Sequence, residues 1–354
     1  MLLDNQAMQS IELRTIPRVG LKLTSFALGT APLAGMYKDV SYADCEASFR
    51  LAFEQGIRYF DAAAMYGRGK AEHYLGHFLR TSRLRDQVVV STKAGRLMRP
   101  RHKAPPPPAE KNPFDGGWTN PLPFEEEFDY SYDGIMRAFE DSLQRLGFDS
   151  VDILYVHDIG RMTHQSQHDR YWGQLSKGGF KALAELRECG AVKAVGLGVN
   201  EWQAIADAMR EFDLDCSLLA GRYTLLDQSA LDALFPECER KGVAIIAAGV
   251  FNSGILAGGS SGPVLKYNYQ PAPKEVIDRV RAIERVCAGH NVPIRTAALQ
   301  FPFAHPLVVS VIQGCQGPSE VAENFASLQT DIPAQLWADL KSAGLLHPQA
   351  PVPK

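Results

Sequence analysis

Short apolar, β-branched runs recur along the chain, and each gives way to a stretch whose apolar residues return at helical spacing. The runs occupy residues 26–30, 57–62, 88–92, 151–156, 192–199, 214–220, 243–248 and 308–312. Runs this short and this rich in branched residues predict buried strands. The intervening segments predict helices. Ser41 can cap one that carries Cys45, Phe49, Ala52 and Phe53 on a single face and stops at Gly56. Ala71, Tyr74, Leu75, Phe78 and Leu79 form a second stripe. Ile135, Phe139, Ser142, Leu143 and Leu146 form a third, ending at Gly147. Val276, Val280, Ile283 and Cys287 form a later one, ending at Gly289.

Eight strands alternating with helices require parallel pairing with crossovers. The closed solution is an α/β fold of the (β/α)8 TIM-barrel type, and 354 residues leave room for insertions on it. An open doubly wound sheet would carry a glycine fingerprint after its first strand. The chain instead reads Gly29-Thr30-Ala31-Pro32-Leu33 there. Gly67-Arg68-Gly69-Lys70 lacks the first glycine of a phosphate loop, because Ala64 stands in its place. Residues 14–25, with Pro17 and Gly20 between apolar positions, predict a hairpin that plugs the bottom of the barrel. The chain therefore reads as a single barrel domain over residues 1–354, with one lid-like insertion at 95–130. That segment holds eight prolines and the acidic triplet Glu125–Glu127. A loop this long in a compact domain is usually functional or disordered. Following strand three, it overhangs the mouth as a lid or substrate-selecting loop, or else is a plain surface insertion. The triplet reads as a solvated face.

Composition narrows the function classes. A net charge of −3 without a Lys/Arg cluster argues against nucleic acid and anionic membranes as partners. The N-terminus lacks the pattern of a signal peptide. The longest apolar stretch, residues 243–251, is too short to span a bilayer. Six scattered cysteines without CxxC or metal spacing suggest reduced thiols, a cytoplasmic location and no metal.

Polar residues that end strands are the candidates for chemistry, because barrel enzymes work at those ends. Asp61 and Tyr66 follow strand two, Lys93 strand three and His157 strand four. Singly, each has an ordinary reading, from turn cap to structural histidine. Together they converge on one point and supply what hydride transfer to a carbonyl needs. A tyrosine can give the proton to the forming alkoxide, or remove it in reverse. A neighbouring ammonium makes the phenolate accessible, and a carboxylate orients that ammonium. A histidine hydrogen-bonds the carbonyl oxygen.

These segments resemble the aldo-keto reductase family. The resemblance rests on Tyr59-Phe60-Asp61 with Tyr66-Gly67 and Glu72, on Ser91-Thr92-Lys93, and on Asp152-Ile153-Leu154-Tyr155-Val156-His157. Gly196-Leu197-Gly198-Val199-Asn200 and Glu323-Asn324 extend it over nearly the whole chain. Within the family, FDYSYDGIMRAFEDSLQRLG, YVHDIG and LLAGRYTLLDQ are most similar to the D-threo-aldose 1-dehydrogenase and pyridoxal 4-dehydrogenase subgroup. The resemblance implies Tyr66 as general acid/base, Lys93 as the modifier of its pKa, Asp61 as the partner of Lys93, and His157 as the orienting group. It implies that Asn200 holds the nicotinamide carboxamide and that the loop with Gly249, Phe251 and Ser253 wraps the pyrophosphate. Gly314, Glu320, Glu323 and Asn324 would line the adenosine end. Many relatives place a glutamine and an aromatic around the nicotinamide, where this chain has Ala220 and Ala248.

The implied cofactor is NAD, with NADP the other possibility. No Lys or Arg occurs from Ser310 through Leu328, where NADP-preferring relatives carry one. The implied substrate is a small carbonyl or sugar: an aldose such as L-fucose, or pyridoxal. Two other classes compete, a Schiff-base aldolase using Lys93 on the same barrel and a nicotinamide-binding regulatory protein. Oligomeric state is left open.

Overall fold

The computed structural model describes residues 11–104, 117–263 and 265–354. Eight parallel strands close into a barrel: β1 (Phe26–Gly29), β2 (Tyr59–Asp61), β3 (Val89–Ala94), β4 (Ile153–His157), β5 (Ala194–Val199), β6 (Cys216–Ala220), β7 (Ala244–Ala248) and β8 (Val308–Gly314). Each strand pairs with its successor, and β8 returns to β1. All eight predicted runs are barrel strands, with shifted bounds. Ile57, Val151, Val192, Leu214 and Val243 precede their strands. They are apolar because they pack in the outer layer between strands and helices. At the other end β3, β4 and β8 run past the expected stops, so Lys93 and His157 are strand residues. The ladder pairs Lys93 with Tyr155 and His157 with Gly198.

The predicted helices form as well. Ser41 accepts a hydrogen bond from Asp44 N at 3.1 Å and caps the helix Tyr42–Glu54. Tyr132–Leu146 ends on Gly147 at a φ of 69°. No helix among the described residues is long and apolar enough to cross a membrane.

The inside of the barrel is a separate core from the layer outside it. It is filled from alternate strand positions by Tyr59, Ile153, Tyr155, Cys216, Leu218 and Ile246. The N-terminal hairpin, Leu13–Ile16 paired with Leu21–Thr24, closes the floor by inserting Ile16 and Leu23, both fully buried. Arg14 secures it by donating from Nη1 to Phe303 O at 2.9 Å and Val308 O at 2.7 Å. Ile16→Ala is expected to cost about 2–4 kcal/mol, the range for a large-to-small change in a packed core. It should lower the urea midpoint while kcat stays constant, because the site lies at the opposite end.

The insertion after β3 is not a plain loop at its two ends. Arg96–Pro100 and Phe124–Phe128 pair as antiparallel strands, with Arg96 opposite Phe128. The acidic triplet is not a solvated face either. Glu126 binds Arg96 at 2.7 Å, Glu127 binds Arg99 at 2.5 Å and Glu125 binds Arg68 at 2.8 Å. Alternating charges on facing strands stabilise such an arm, and a sequence window without its partner strand cannot show them. Residues 105–116 of the expected lid lie outside the described residues.

Candidate active site

The strand ends open onto a cavity of about 470 Å³. Asp61, Tyr66, Lys93, His157 and Asn200 all line it, as do Gly249, Phe251, Ser253, Gly314 and Glu320. Glu323 and Asn324 do not. A second cavity, near Phe26, Phe325 and Val352, holds none of the candidate groups.

Lys93 and Asp61 are the deepest of the set, each 2% exposed. The Lys93 stem runs past Gly198, where a Cβ would stand 3.4 Å from both its Cδ and its Cε. Its Nζ donates to Asp61 Oδ2 at 2.7 Å and to Ala62 O at 2.9 Å. The other oxygen of Asp61 accepts from Ser91 Oγ at 2.7 Å, and Ser91 in turn accepts from Tyr59 OH at 3.0 Å. Buried charges are tolerable only when paired and hydrogen-bonded, and this pair satisfies both conditions.

Tyr66 follows β2 in a tight turn. The turn needs Gly67, whose φ is 60° and whose Cβ would fall 2.6 Å from Ala34 O. The Tyr66 ring centroid lies 4.5 Å from Lys93 Nζ, and the His157 ring meets Tyr66 edge-on at 6.0 Å between centroids. Burial, and after it the Asp61 carboxylate, pushes the Tyr66 phenol well above the usual tyrosine range. That direction is opposite to the one the lysine alone would impose. Burial, followed by Arg96 and Lys93, holds the His157 imidazole well below its usual range, so it is neutral. A neutral imidazole is a hydrogen-bond donor through one nitrogen.

Asn200 Nδ2 donates to Ala220 O at 3.4 Å, and its side chain also hydrogen-bonds Tyr269. Ala220 and Ala248 are register partners that leave a flat, small-residue wall beside it. In the loop after β7, Gly249, Asn252, Ser253 and Gly254 all have positive φ, between 45° and 98°. Such turns direct backbone N–H groups to one side, as in anion-binding nests. Further along the cavity, Glu320 accepts from Gln316 N at 3.0 Å. Arg295 reaches the same segment from another helix, binding Glu323 at 2.6 Å and Asn324 Oδ1 at 2.7 Å. The segment is therefore free of basic residues in sequence but not in space. The cavity thus presents a polar end at Asn200, a run of turned amides, and a distal end at Glu320.

The chain matches the model of the Aldo/keto reductase family over residues 25–344. The chain belongs to the aldo/keto reductase family. It is 48% identical to the pyridoxal 4-dehydrogenase of Microbacterium luteolum over 96% of this chain and 99% of that protein. It is 38% identical to the D-threo-aldose 1-dehydrogenase of a Pseudomonas species, over 92% and 96%. Among solved structures, the holo form of an aldo-keto reductase from Bacillus halodurans superposes with a TM-score of 0.70. It is 21% identical and covers 97% of this chain and 98% of that one. This family member is an oxidoreductase, and the family works with nicotinamide cofactors. Several residues at its site escape a sequence reading. Trp118 packs on Tyr66 at 5.8 Å between ring centroids from inside the insertion, where no periodicity marks it. Arg96 and Tyr269 likewise stand in segments without a pattern. Asp158 follows His157 directly, and that adjacency is the one signal it carries in the sequence.

Proposed function

We propose that this aldo/keto reductase oxidises the ring hydroxyl of a small hemiacetal to a lactone with the oxidised cofactor, and in a separate reaction reduces small aldehydes to alcohols with the reduced one. The observation that carries the reading is the buried Lys93–Asp61 pair directly beneath the Tyr66 ring, with neutral His157 at its edge. Tyr66 takes the hydroxyl proton, and the ammonium of Lys93 stabilises the negative charge that develops on it. His157 hydrogen-bonds the reacting oxygen and sets its direction. A dinucleotide bound along Asn200, the Gly249–Gly254 turns and Glu320 supplies or accepts the hydride. The insertion, whose Trp118 lines the cavity, covers the substrate. The names of the two relatives point to aldoses and pyridoxal, substrates that share a cyclic hemiacetal carbon. A Schiff-base aldolase is disfavoured, because Lys93 Nζ is engaged by both Asp61 and Ala62 O.

NAD is the preferred dinucleotide in this reading. Glu320 faces the cavity where a 2′-phosphate would need a charge-assisted donor. Arg295, the guanidinium closest at hand in the adjoining contacts, is committed to Glu323 and Asn324. A carboxylate accepts from the free 2′-hydroxyl of NAD and repels the phosphate. Absorbance of the reduced cofactor with L-fucose, related aldoses and pyridoxal tests both statements. NAD reduction with at least one of them is expected, with kcat/KM favouring NAD over NADP. Silence with all of them defeats the dehydrogenase reading, and a ratio favouring NADP defeats the cofactor assignment. Glu320→Arg should move that ratio toward NADP.

A further inference from the structure

The catalytic reading leaves one buried cluster without work. Arg96, 2% exposed, lies between two carboxylates: Nη1 donates to Glu126 Oε2 at 2.7 Å, and Nη2 to Asp158 Oδ2. The face of Phe128 supports the guanidinium at 4.8 Å. One cation thus answers two acids in a region where unpaired charge is costly. The two acids differ in surroundings. Glu126 stands on the arm, with 19% of its side chain open. Asp158 stands in the cavity wall, its Oδ2 3.5 Å from His157 Nε2. Its Oδ1 makes no hydrogen bond to another described residue.

The backbone is bent to put the carboxylate there. Asp158 has a φ of 47°, a left-handed conformation that costs a residue with a Cβ about 1 kcal/mol or more. The turn is held by Asp158 N donating to Gly198 O at 3.0 Å and by Tyr130 OH donating to His157 O at 2.7 Å. A purely structural partner for Arg96 needs no such placement. Burial raises the Asp158 carboxyl above the usual range despite Arg96 and Lys93 nearby.

We propose that Asp158, clamped by Arg96, is the specificity-determining residue that accepts a hydrogen bond from a substrate hydroxyl on the carbon next to the reacting one. The inference rests on the carbonyl–hemiacetal reading of this site. His157 orients the reacting oxygen, and Asp158 Oδ2 is one short step from His157. Two oxygens on adjacent carbons span that separation, so one substrate engages both residues. A hydroxylated substrate supplies a donor to Oδ1, whereas a simple aldehyde leaves that oxygen without one.

The test uses two aldehydes that differ by neighbouring hydroxyls, glyceraldehyde and propanal, reduced with NADH by the wild type, Asp158→Ala and Asp158→Asn. The wild type is expected to favour glyceraldehyde. Asp158→Ala should lose about 10- to 100-fold in kcat/KM on glyceraldehyde, mainly through KM, the worth of one hydrogen bond to a charged group. Its loss on propanal should be several-fold smaller than on glyceraldehyde, as expected when the missing substrate contact was never made there. Asp158→Asn keeps an oxygen for Arg96 and guards against misfolding. It should show a selective loss of the same direction but smaller size at unchanged NADH affinity, since its amide can still donate to the hydroxyl oxygen but no longer offers a charged acceptor. Equal losses on both aldehydes, or a wild type without preference for the hydroxylated one, would overturn the proposal. L-fucose and pyridoxal run beside them with NAD. Inactivity of the wild type on these two and on the related aldoses, with activity on the aldehydes, defeats the hemiacetal reading and leaves the aldehyde pair to judge Asp158.

Discussion

Replacing Tyr66 with phenylalanine lowers kcat about 10²- to 10⁴-fold, the contribution of a positioned acid/base. It leaves NADH affinity, read from protein fluorescence, where it was. The change removes one oxygen from a ring that keeps its packing on Trp118 and His157. The effect therefore belongs to the proton and not to the shape of the cavity. Retention of most of the wild-type kcat would remove Tyr66 from the chemistry. The wild type carries a pH signature of the same group. With its phenol pushed well above the usual range, Tyr66 is protonated at neutrality. Carbonyl reduction, which consumes that proton, should vary little from pH 6 to 8. Hydroxyl oxidation needs the phenolate and should rise steadily with pH over the same interval. Neutral His157 adds no inflection near pH 6.5, because its imidazole is held well below that value.

Lys93→Met is expected to fail in two measurable ways. Removing the ammonium leaves Asp61 buried with Ser91 as its remaining side-chain partner. An uncompensated buried charge of this kind costs about 3–5 kcal/mol of stability, visible in urea unfolding. Turnover falls as well, and the residual oxidation moves to higher pH. The sign follows from charge: Asp61 already raises the Tyr66 phenol, and Lys93, which pairs with Asp61 and lies 4.5 Å from the ring, is the cation that neutralises it at this point. Asp61→Asn separates the two losses. It removes the charge that the lysine must answer, so a variant pair with equal turnover but unequal stability would show Lys93 to be structural. Residual activity with an unmoved pH profile in Lys93→Met would likewise confine the lysine to a structural role.

The barrel was legible because its signal is periodic. Strand runs such as Ala194–Val199 and Ala244–Ala248 are buried on both faces, and continuous apolar runs are what such burial demands. Asp61, Tyr66, Lys93 and His157 were legible for the opposite reason, as polar residues that interrupt those runs where packing would prefer apolar ones. What escaped was set by contacts between distant segments. Arg96 meets Asp158 across 62 positions, and Arg295 meets Asn324 across 29. Neither separation is a helical or strand period. The acidic triplet read as solvent-facing because its arginine partners lie on a facing strand and a neighbouring turn. Strand bounds slipped by one or two residues because the outer layer is as apolar as the barrel interior.

The hairpin that carries Ile16 and Leu23 into the floor closes that end of the barrel, and the described cavity opens at the strand ends. In the proposed reaction a dinucleotide and a substrate would share that opening, so the one seated first against the strand ends would leave last. Two aliphatic side chains at the far end of the protein would then help to set the order of a catalytic cycle without touching either reactant.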